Sequence, residues 1–131
     1  MATAPAFAAT PICWSGLVPA TADTSLTAPS NATALGTAGA SGTQINEIVC
    51  VGVGTTVAGV VNIFAYDGST YHLVDFFIVP AYTSSTTVGA WRASRTYQNF
   101  WLPANTWSLR CTVTVASDQS MVKVTAFGGS M

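Results

Sequence analysis

Few side chains in this sequence could carry out acid–base catalysis. The chain has one histidine, His72, which lies three positions before Asp75, and with a serine this pair could form a hydrolytic triad. No GxSxG motif is present, however, to identify a nucleophilic serine. The five acidic residues include no close pair of the kind that indicates a glycosidase or a calcium-binding loop. The sequence therefore predicts no catalytic residue, and we expect the protein not to be an enzyme.

Two further patterns are typical of phosphate-binding and metal-binding sites, but both are incomplete here. Gly52 and Gly54 have the spacing of a dinucleotide-binding loop, yet the third glycine and the following helix are missing, so a turn at a strand end is the better interpretation. The cysteines Cys13, Cys50 and Cys111 are far apart and lack CxxC or Cys/His spacing. We therefore expect small buried thiols, with no metal site, no disulfide framework and no cofactor.

Aromatic residues are concentrated in the second half of the chain, at Trp91, Tyr97, Phe100, Trp101 and Trp107. Their rings could form a platform on which a sugar stacks, which is the strongest indication of ligand binding in the sequence. Aromatic side chains also anchor protein cores and interfaces, and the sequence favours this second interpretation. Both interpretations remain open at the level of the sequence.

The composition excludes several classes of partner. Only 7% of the residues are charged, the net charge is −1, and four Lys and Arg cannot form a basic patch. Binding to nucleic acid or to a charged membrane surface is therefore not expected. Half of the residues are hydrophobic, yet no stretch approaches the roughly 18 consecutive apolar residues of a transmembrane helix. Because so few charges cannot cover the surface of a soluble monomer, we infer that copies of the chain or other partners bury much of it.

Most of the chain has the composition of short β-strands separated by turns. The predicted strands are Ile12–Val18, Gln44–Val53, Val57–Tyr66, Thr70–Val79, Ala90–Arg95, Trp107–Val115 and Met121–Phe127. Asp67-Gly68-Ser69 predicts a hairpin turn, since Gly68 accepts positive φ and Asp67 can accept hydrogen bonds from the backbone that follows it. The fold class is therefore all-β, an antiparallel β-sandwich of jelly-roll type over residues 44–131.

The first part of the chain, residues 1–43, has a different composition from the rest and is rich in Ala, Thr, Ser and Pro. We expect an extended N-terminal arm that also supplies the first strand or strands, in one globular domain overall. The run Asn31–Gly42 has almost no large apolar side chain, which predicts a loop or an arm. The N-terminus has neither the basic nor the continuous apolar region of a secretory signal, which predicts synthesis in the cytoplasm.

The predicted strand Thr70–Val79 is apolar on both faces. Strict alternation assigns one face to His72, Val74, Phe76 and Ile78, and the other to Tyr71, Leu73, Phe77 and Val79, around Asp75. A strand in a two-sheet monomer buries only one face, so the second needs a cover, either the arm or a neighbouring subunit. In Trp107–Val115, by contrast, Leu109 and Val113 alternate with polar residues such as Thr112, which predicts one buried face and one polar face.

The second half of the chain also contains a series of segments whose order and composition resemble those of a known protein family. They are Gly68–Asp75 followed by Val79-Pro80, then Phe100–Pro103, Trp107–Arg110 and the closing Val124–Gly129. Over roughly residues 47–131 the chain resembles capsid decoration, or cement, proteins of tailed bacteriophages. The resemblance implies a β-sandwich subunit, a homotrimer, seated on the major capsid protein at the outer capsid surface, without a cofactor.

The sequence therefore predicts a non-enzymatic virion structural protein that binds the outer capsid surface and stabilises the shell, after synthesis in the cytoplasm of a bacterial host. The alternative is a receptor- or glycan-binding β-sandwich module of a phage tail fibre. The expected partners are further copies of the chain and the major capsid protein, with no nucleic acid and no membrane. The residues expected to contact a partner are aromatic: Phe7, Trp14, Tyr71, Phe77, Trp91, Tyr97 and Trp101.

Overall fold

The computed structural model describes residues 10–19, 21–83, 85–115 and 122–130, which form an all-β structure. The strands are β1 (Thr10–Leu17), β2 (Thr33–Thr37), β3 (Thr43–Gly52), β4 (Gly59–Tyr66), β5 (Tyr71–Val79), β6 (Arg92–Leu102), β7 (Ser108–Val113) and β8 (Val122–Ser130). No helix long and apolar enough to span a membrane occurs in these four ranges. The all-β prediction is confirmed.

The eight strands form two four-stranded antiparallel sheets that pack against each other. One sheet has the order β1-β8-β3-β6 and the other the order β2-β7-β4-β5. The pairing is nested: β4 pairs with β5, β3 with β6, β2 with β7 and β1 with β8. Among these strands, the β4–β5 hairpin alone stays within one sheet, and every other connection crosses between the sheets. The predicted β-sandwich is therefore confirmed, and its free edges are β1 and β6 on one sheet and β2 and β5 on the other.

The core lies between the two sheets and is built from alternate residues of the strands. Ile45 and Ile48 of β3 face Ile63 of β4 and Leu109 of β7, and all four side chains are fully buried. Val113 is also buried, so the predicted alternation of β7 is confirmed on its core side. Such interdigitated apolar side chains supply the main driving force for folding.

The other side of β7 differs from the prediction of an exposed polar face. Thr112 is 0% exposed and Ser108 is 4% exposed. Thr112 lies opposite Asn62 of β4, which is also buried. The side-chain nitrogen of Asn62 and the hydroxyl of Thr112 have no hydrogen-bond partner among the described residues. The outer side of this sheet is thus covered at its centre. The polar side chains of Thr112 and Ser108 were expected to be exposed, but both are buried.

The strand β2 corrects the prediction that Asn31–Gly42 is a loop or an arm. Residues Thr33–Thr37 pair with β7, and Leu35 is buried in the core. Gly36 is needed here because a Cβ atom at this position would collide with the indole ring of Trp14 from β1. The small residues that suggested a loop instead allow the edge strands of the two sheets to approach each other.

Part of the predicted arm therefore belongs to the sandwich. β1 pairs along its whole length with β8, in agreement with the strand predicted at Ile12–Val18. Between β1 and β2, Asp23 organises the connection by accepting hydrogen bonds from the backbone N–H groups of Ser25, Ser30 and Asn31. Residues 1–9, which include the predicted contact residue Phe7, lie outside the described residues.

The turn between β4 and β5 has the predicted form. Gly68 has φ 101°, and the Asp67 carboxylate accepts hydrogen bonds from the N–H groups of Ser69 at 2.9 Å and Thr70 at 2.7 Å. These bonds hold the pKa of Asp67 well below its ordinary value, with a further contribution from His72. The Asx-type turn fixes the register in which Tyr66 pairs with Tyr71.

A β-bulge in β5 corrects the strict alternation expected for this strand. Asp75 pairs with Ile63 and Leu73 pairs with Phe64, so Val74 has no counterpart in β4. The extra residue reverses the faces on one side of the bulge. Phe77 consequently lies in the core, with only 2% of its surface exposed. The side chains that point outward are those of Tyr71, Leu73, Phe76 and Ile78.

Candidate functional site

The outward side of the edge strand β5 is an apolar surface. Leu73 is 40%, Phe76 47% and Ile78 70% exposed. We call these three side chains the β5 outer face. Large apolar side chains that lie together on an edge strand are a feature of protein interfaces, whereas single exposed apolar residues are common everywhere. The expectation that β5 has two apolar faces is therefore confirmed, although the membership of each face is not the one predicted.

An aromatic and cationic cluster borders the β5 outer face at the turn end of the strand. The rings of Tyr66 and Tyr71 lie 4.3 Å apart, and the Arg110 guanidinium lies 4.4 Å from the centre of the Tyr66 ring. Arg110 also donates hydrogen bonds to the Ser108 hydroxyl at 3.0 Å and to the Tyr71 hydroxyl at 3.3 Å. The cluster holds the predicted contact residue Tyr71 in a fixed position beside the apolar surface.

A polar link joins β5 to β6 and so connects the edges of the two sheets. The Asp75 carboxylate accepts hydrogen bonds from the Arg95 guanidinium and the Tyr97 hydroxyl. Arg95 also donates to the carbonyl oxygen of Phe76 at 3.1 Å and lies over the ring of Phe77. Burial and the bond to Asp75 raise the pKa of Tyr97, which keeps its hydroxyl protonated as the donor.

An open groove of about 420 Å³ lies beyond this link, between β5 and the end of β6. Four of the five clustered aromatic residues line it, namely Tyr97, Phe100, Trp101 and Trp107. His72 also lines the groove, with its ring stacked on that of Trp107 at a centroid distance of 5.6 Å and an interplanar angle of 20°. The groove is comparable with a small-molecule site in its volume and its aromatic lining.

The position of the groove depends on an irregularity in β6, which runs from Arg92 to Leu102 rather than over the predicted Ala90–Arg95. Phe100 pairs with Ile45 and Thr96 pairs with Glu47, so three residues of β6, 97–99, lie opposite one residue of β3. Asn99 in this bulge has φ 59°, in the left-handed region. The bulge places Gln98 and Asn99 along the groove.

The His72 side chain does not form the hydrolytic arrangement considered from the sequence. Its Nε2 atom lies 3.2 Å from the carboxylate of Asp67, whereas Asp75 bonds Arg95 and Tyr97. The Ser69 hydroxyl bonds the same Asp67 carboxylate at 3.1 Å. The carboxylate therefore lies between hydroxyl and imidazole, and this histidine is not placed to accept a proton from that serine.

The cysteines differ from one another in environment. Cys50 and Cys111 are buried as expected, and burial raises the pKa of each thiol to about 12. Cys13 is exposed on β1, so the prediction of a buried thiol is wrong at this position. Among the described residues, no group of three or more His, Cys, Asp and Glu side chains could hold a metal ion.

The structure distributes the predicted contact residues over separate regions. Tyr97 and Trp101 line the groove, and Tyr71 borders the β5 outer face. Trp14 packs over Gly36 at the opposite edge of the sandwich, and Trp91 packs against the core near Gly52. Phe77 is buried in the core and is not available to a partner in this conformation, whereas its neighbour Phe76 is exposed.

Several residues of these surfaces were not among the contact residues predicted from the sequence: Leu73, Phe76, Ile78, His72, Gln98 and Asn99. The apolar pattern of β5 indicated a second apolar face. The bulge determines which residues lie on that face, and nothing in the sequence indicated the bulge. Gln98 and Asn99 are ordinary surface residue types, and the bulge in β6 places them along the groove that His72 also lines.

A scan against protein-family models finds no match to this chain. Searches of curated proteins and of solved structures likewise find no similar protein.

Proposed function

We propose that this protein is a non-enzymatic structural subunit of a tailed-bacteriophage virion, which binds the outer capsid surface and stabilises the shell. In this proposal the subunit forms a homotrimer and contacts the major capsid protein. The single observation that carries the proposal is the β5 outer face, an exposed apolar surface on an edge strand of a protein with 7% charged residues. The resemblance of residues 47–131 to decoration proteins supports the same function.

The size of the β5 outer face indicates what kind of contact it could make. Complete burial of a Leu, Phe or Ile side chain contributes about 1.5–3 kcal/mol. Because these three are already partly buried, their remaining exposed area contributes only about 3 kcal/mol in total. Association costs at least about 4 kcal/mol, so these side chains alone would not hold two subunits together. We therefore expect them to form the centre of a larger interface of about 800 Å² per subunit.

A trimer increases the strength of attachment to a shell. Three sites that engage together raise the avidity by about 10²–10⁴ over a single site, provided that their spacing matches that of the capsid sites. Weak individual contacts are then sufficient for stable binding. Loss of the trimer should therefore reduce capsid occupancy even when each capsid contact is intact.

The strand topology supports the proposed class of structural protein. The nested pairing of β1 with β8, β2 with β7, β3 with β6 and β4 with β5 is what results when a long antiparallel hairpin folds over into two sheets. We infer that the fold is a jelly roll, an architecture found in viral capsid proteins. Fold analogy alone does not determine function, and the proposal depends on the exposed surface as well.

Capsid occupancy tests this proposal. Capsids of the phage that encodes the protein, assembled without it, are mixed with the wild type, with Ile78→Lys, or with the control Ser94→Lys, and the bound fraction is measured by sedimentation. Ser94 is also exposed, but it lies on β6, in the other sheet. We expect the wild type and the control to bind and Ile78→Lys to bind at least about tenfold less, because the trimer is lost. Absence of wild-type binding would contradict the proposal.

A further inference from the structure

We propose that the groove between β5 and β6 binds a neutral saccharide. This goes beyond the proposed structural role, since neither the trimer nor capsid binding requires a ligand in the groove. It also identifies the residues that a glycan-binding function would use, a function for which the sequence indicated only an aromatic cluster.

The dimensions and walls of the groove fit a sugar. Its volume of about 420 Å³ lies within the range of about 300–1,000 Å³ that small-molecule sites occupy. Tyr97 and Phe100 meet edge to face at 5.2 Å, and Trp107 lies stacked with His72. These contacts hold the rings in fixed orientations, so a ligand that packs against them meets a preformed apolar wall.

The polar groups of the groove select for an uncharged ligand. Besides the polar atoms of its aromatic residues, the groove offers a ligand the imidazole of His72 and the amides of Gln98 and Asn99 as hydrogen-bonding groups. No Lys, Arg, Asp or Glu is among the described residues that line it. A phosphate, a carboxylate or a nucleic-acid backbone would find no compensating charge there. Hydroxyl and acetamido groups, by contrast, can both donate to and accept from amide side chains.

The orientation of His72 is fixed by its partner. An ionised carboxylate only accepts hydrogen bonds, and the Asp67 pKa is lowered by the bonds from Thr70, Ser69 and His72, so Asp67 is ionised near neutral pH. The Nε2 atom of His72 therefore donates to Asp67, so a His72 ring that carries one proton has Nδ1 as its acceptor. A sugar hydroxyl is a suitable donor to such an atom.

The bulge of β6 also fits a binding role. Three residues of β6 lie opposite one residue of β3, and Asn99 adopts a left-handed conformation that non-glycine residues seldom occupy. Bulges of this kind frequently redirect side chains toward a functional site. Here the bulge brings two amide side chains to the edge of an aromatic groove, which a regular strand would not do.

The test uses three neutral oligosaccharides as probes, namely maltotriose, cellotriose and tri-N-acetylchitotriose, with binding followed by NMR titration of the full chain. The groove variants are Gln98→Ala, His72→Ala and Asn99→Gly, because glycine keeps the positive φ of Asn99 while removing its amide. Ser94→Ala on the same strand, outside the groove lining, is the control. Replacement of Trp107 is avoided since this residue packs against the core.

We expect at least one probe to bind the wild type saturably, with a Kd of about 1 mM or lower, and the control to bind equally well. Each groove variant should weaken this binding by about tenfold or more, while its NMR spectrum remains that of a folded chain. The proposal is overturned if no probe binds saturably, or if the groove variants and the control bind with the affinity of the wild type. Neither result alters the prediction for capsid occupancy, so the two proposals can fail separately.

Discussion

Leu109 illustrates how single side chains determine the stability of this fold. It is fully buried, and it lies between Gly36 of β2 and Ala65 of β4 in the same sheet. Because both neighbours are small, Leu109 fills space that neither of them could occupy. Neither neighbour can extend its side chain into the volume that a shorter residue at position 109 would leave.

We predict that Leu109→Ala lowers the free energy of unfolding by about 2–5 kcal/mol, through lost burial and the cavity left behind. Thr112→Ala should cost far less, although Thr112 is equally buried, because its hydroxyl has no hydrogen-bond partner among the described residues. Urea denaturation of the two variants measures the difference. Equal midpoints for the wild type and Leu109→Ala would show that the core is wrongly assigned.

At the scale of the elements, the central pair of strands in the first sheet depends on Gly128. A Cβ atom here would collide with the backbone carbonyl oxygen of Gln44 in β3. The collision is with backbone rather than with the end of a flexible side chain, so the strands would have to separate. Gly89, in the connection before β6, has open space around its own Cβ position.

Gly128→Ala should therefore destabilise the protein by about 1–3 kcal/mol or more. Gly89→Ala is the matched control and should change stability by less than about 0.5 kcal/mol. Thermal unfolding followed by circular dichroism compares them. If both variants unfold at the temperature of the wild type, the close approach of β3 and β8 at Gly128 is not present in solution.

The β4–β5 turn gives a pH dependence of known sign. Backbone hydrogen bonds lower the pKa of Asp67 in the folded state below its ordinary value of 3.8. The ionised carboxylate therefore contributes stability that is fully present above about pH 4 and is lost as the pH falls further. Asp67→Asn keeps an acceptor oxygen for the turn but removes the charge.

We predict that the wild type has a higher Tm than Asp67→Asn at about pH 7, and that this difference narrows as the pH is lowered below about 4. Thermal unfolding at a series of pH values measures it. A difference between the two proteins that does not change with pH would mean that the charge of Asp67 does not stabilise the turn.

The elements also show what could be predicted from the sequence and why the rest could not. The strand β7 and the Asp67 turn were predicted because alternation and turn chemistry are local properties. The strand β2 was missed because Gly36, which made the segment look like a loop, is required by contact with Trp14, which is distant in sequence. The faces of β5 and the groove residues Gln98 and Asn99 depend on bulges, and these arise from pairing with β4 and β3.

At the scale of the whole molecule, side chains from the facing edges bridge the two sheets on both long sides of the sandwich. Trp14 packs over Gly36 on one side, and Asp75 bonds Arg95 and Tyr97 on the other. On the β5–β6 side the groove remains open beyond this link, and the apolar surface of β5 faces outward. The proposed assembly function depends on this surface rather than on the core.

The mass of the protein in solution tests this claim most directly. Light scattering at about micromolar concentration should give the mass of three 13.5 kDa chains for the wild type and for Ser94→Lys. Ile78→Lys should give the mass of one chain, because a charge at the most exposed position of the β5 outer face cannot be buried without a partner. A wild-type mass of 13.5 kDa, or a trimer that persists in Ile78→Lys, would contradict the account.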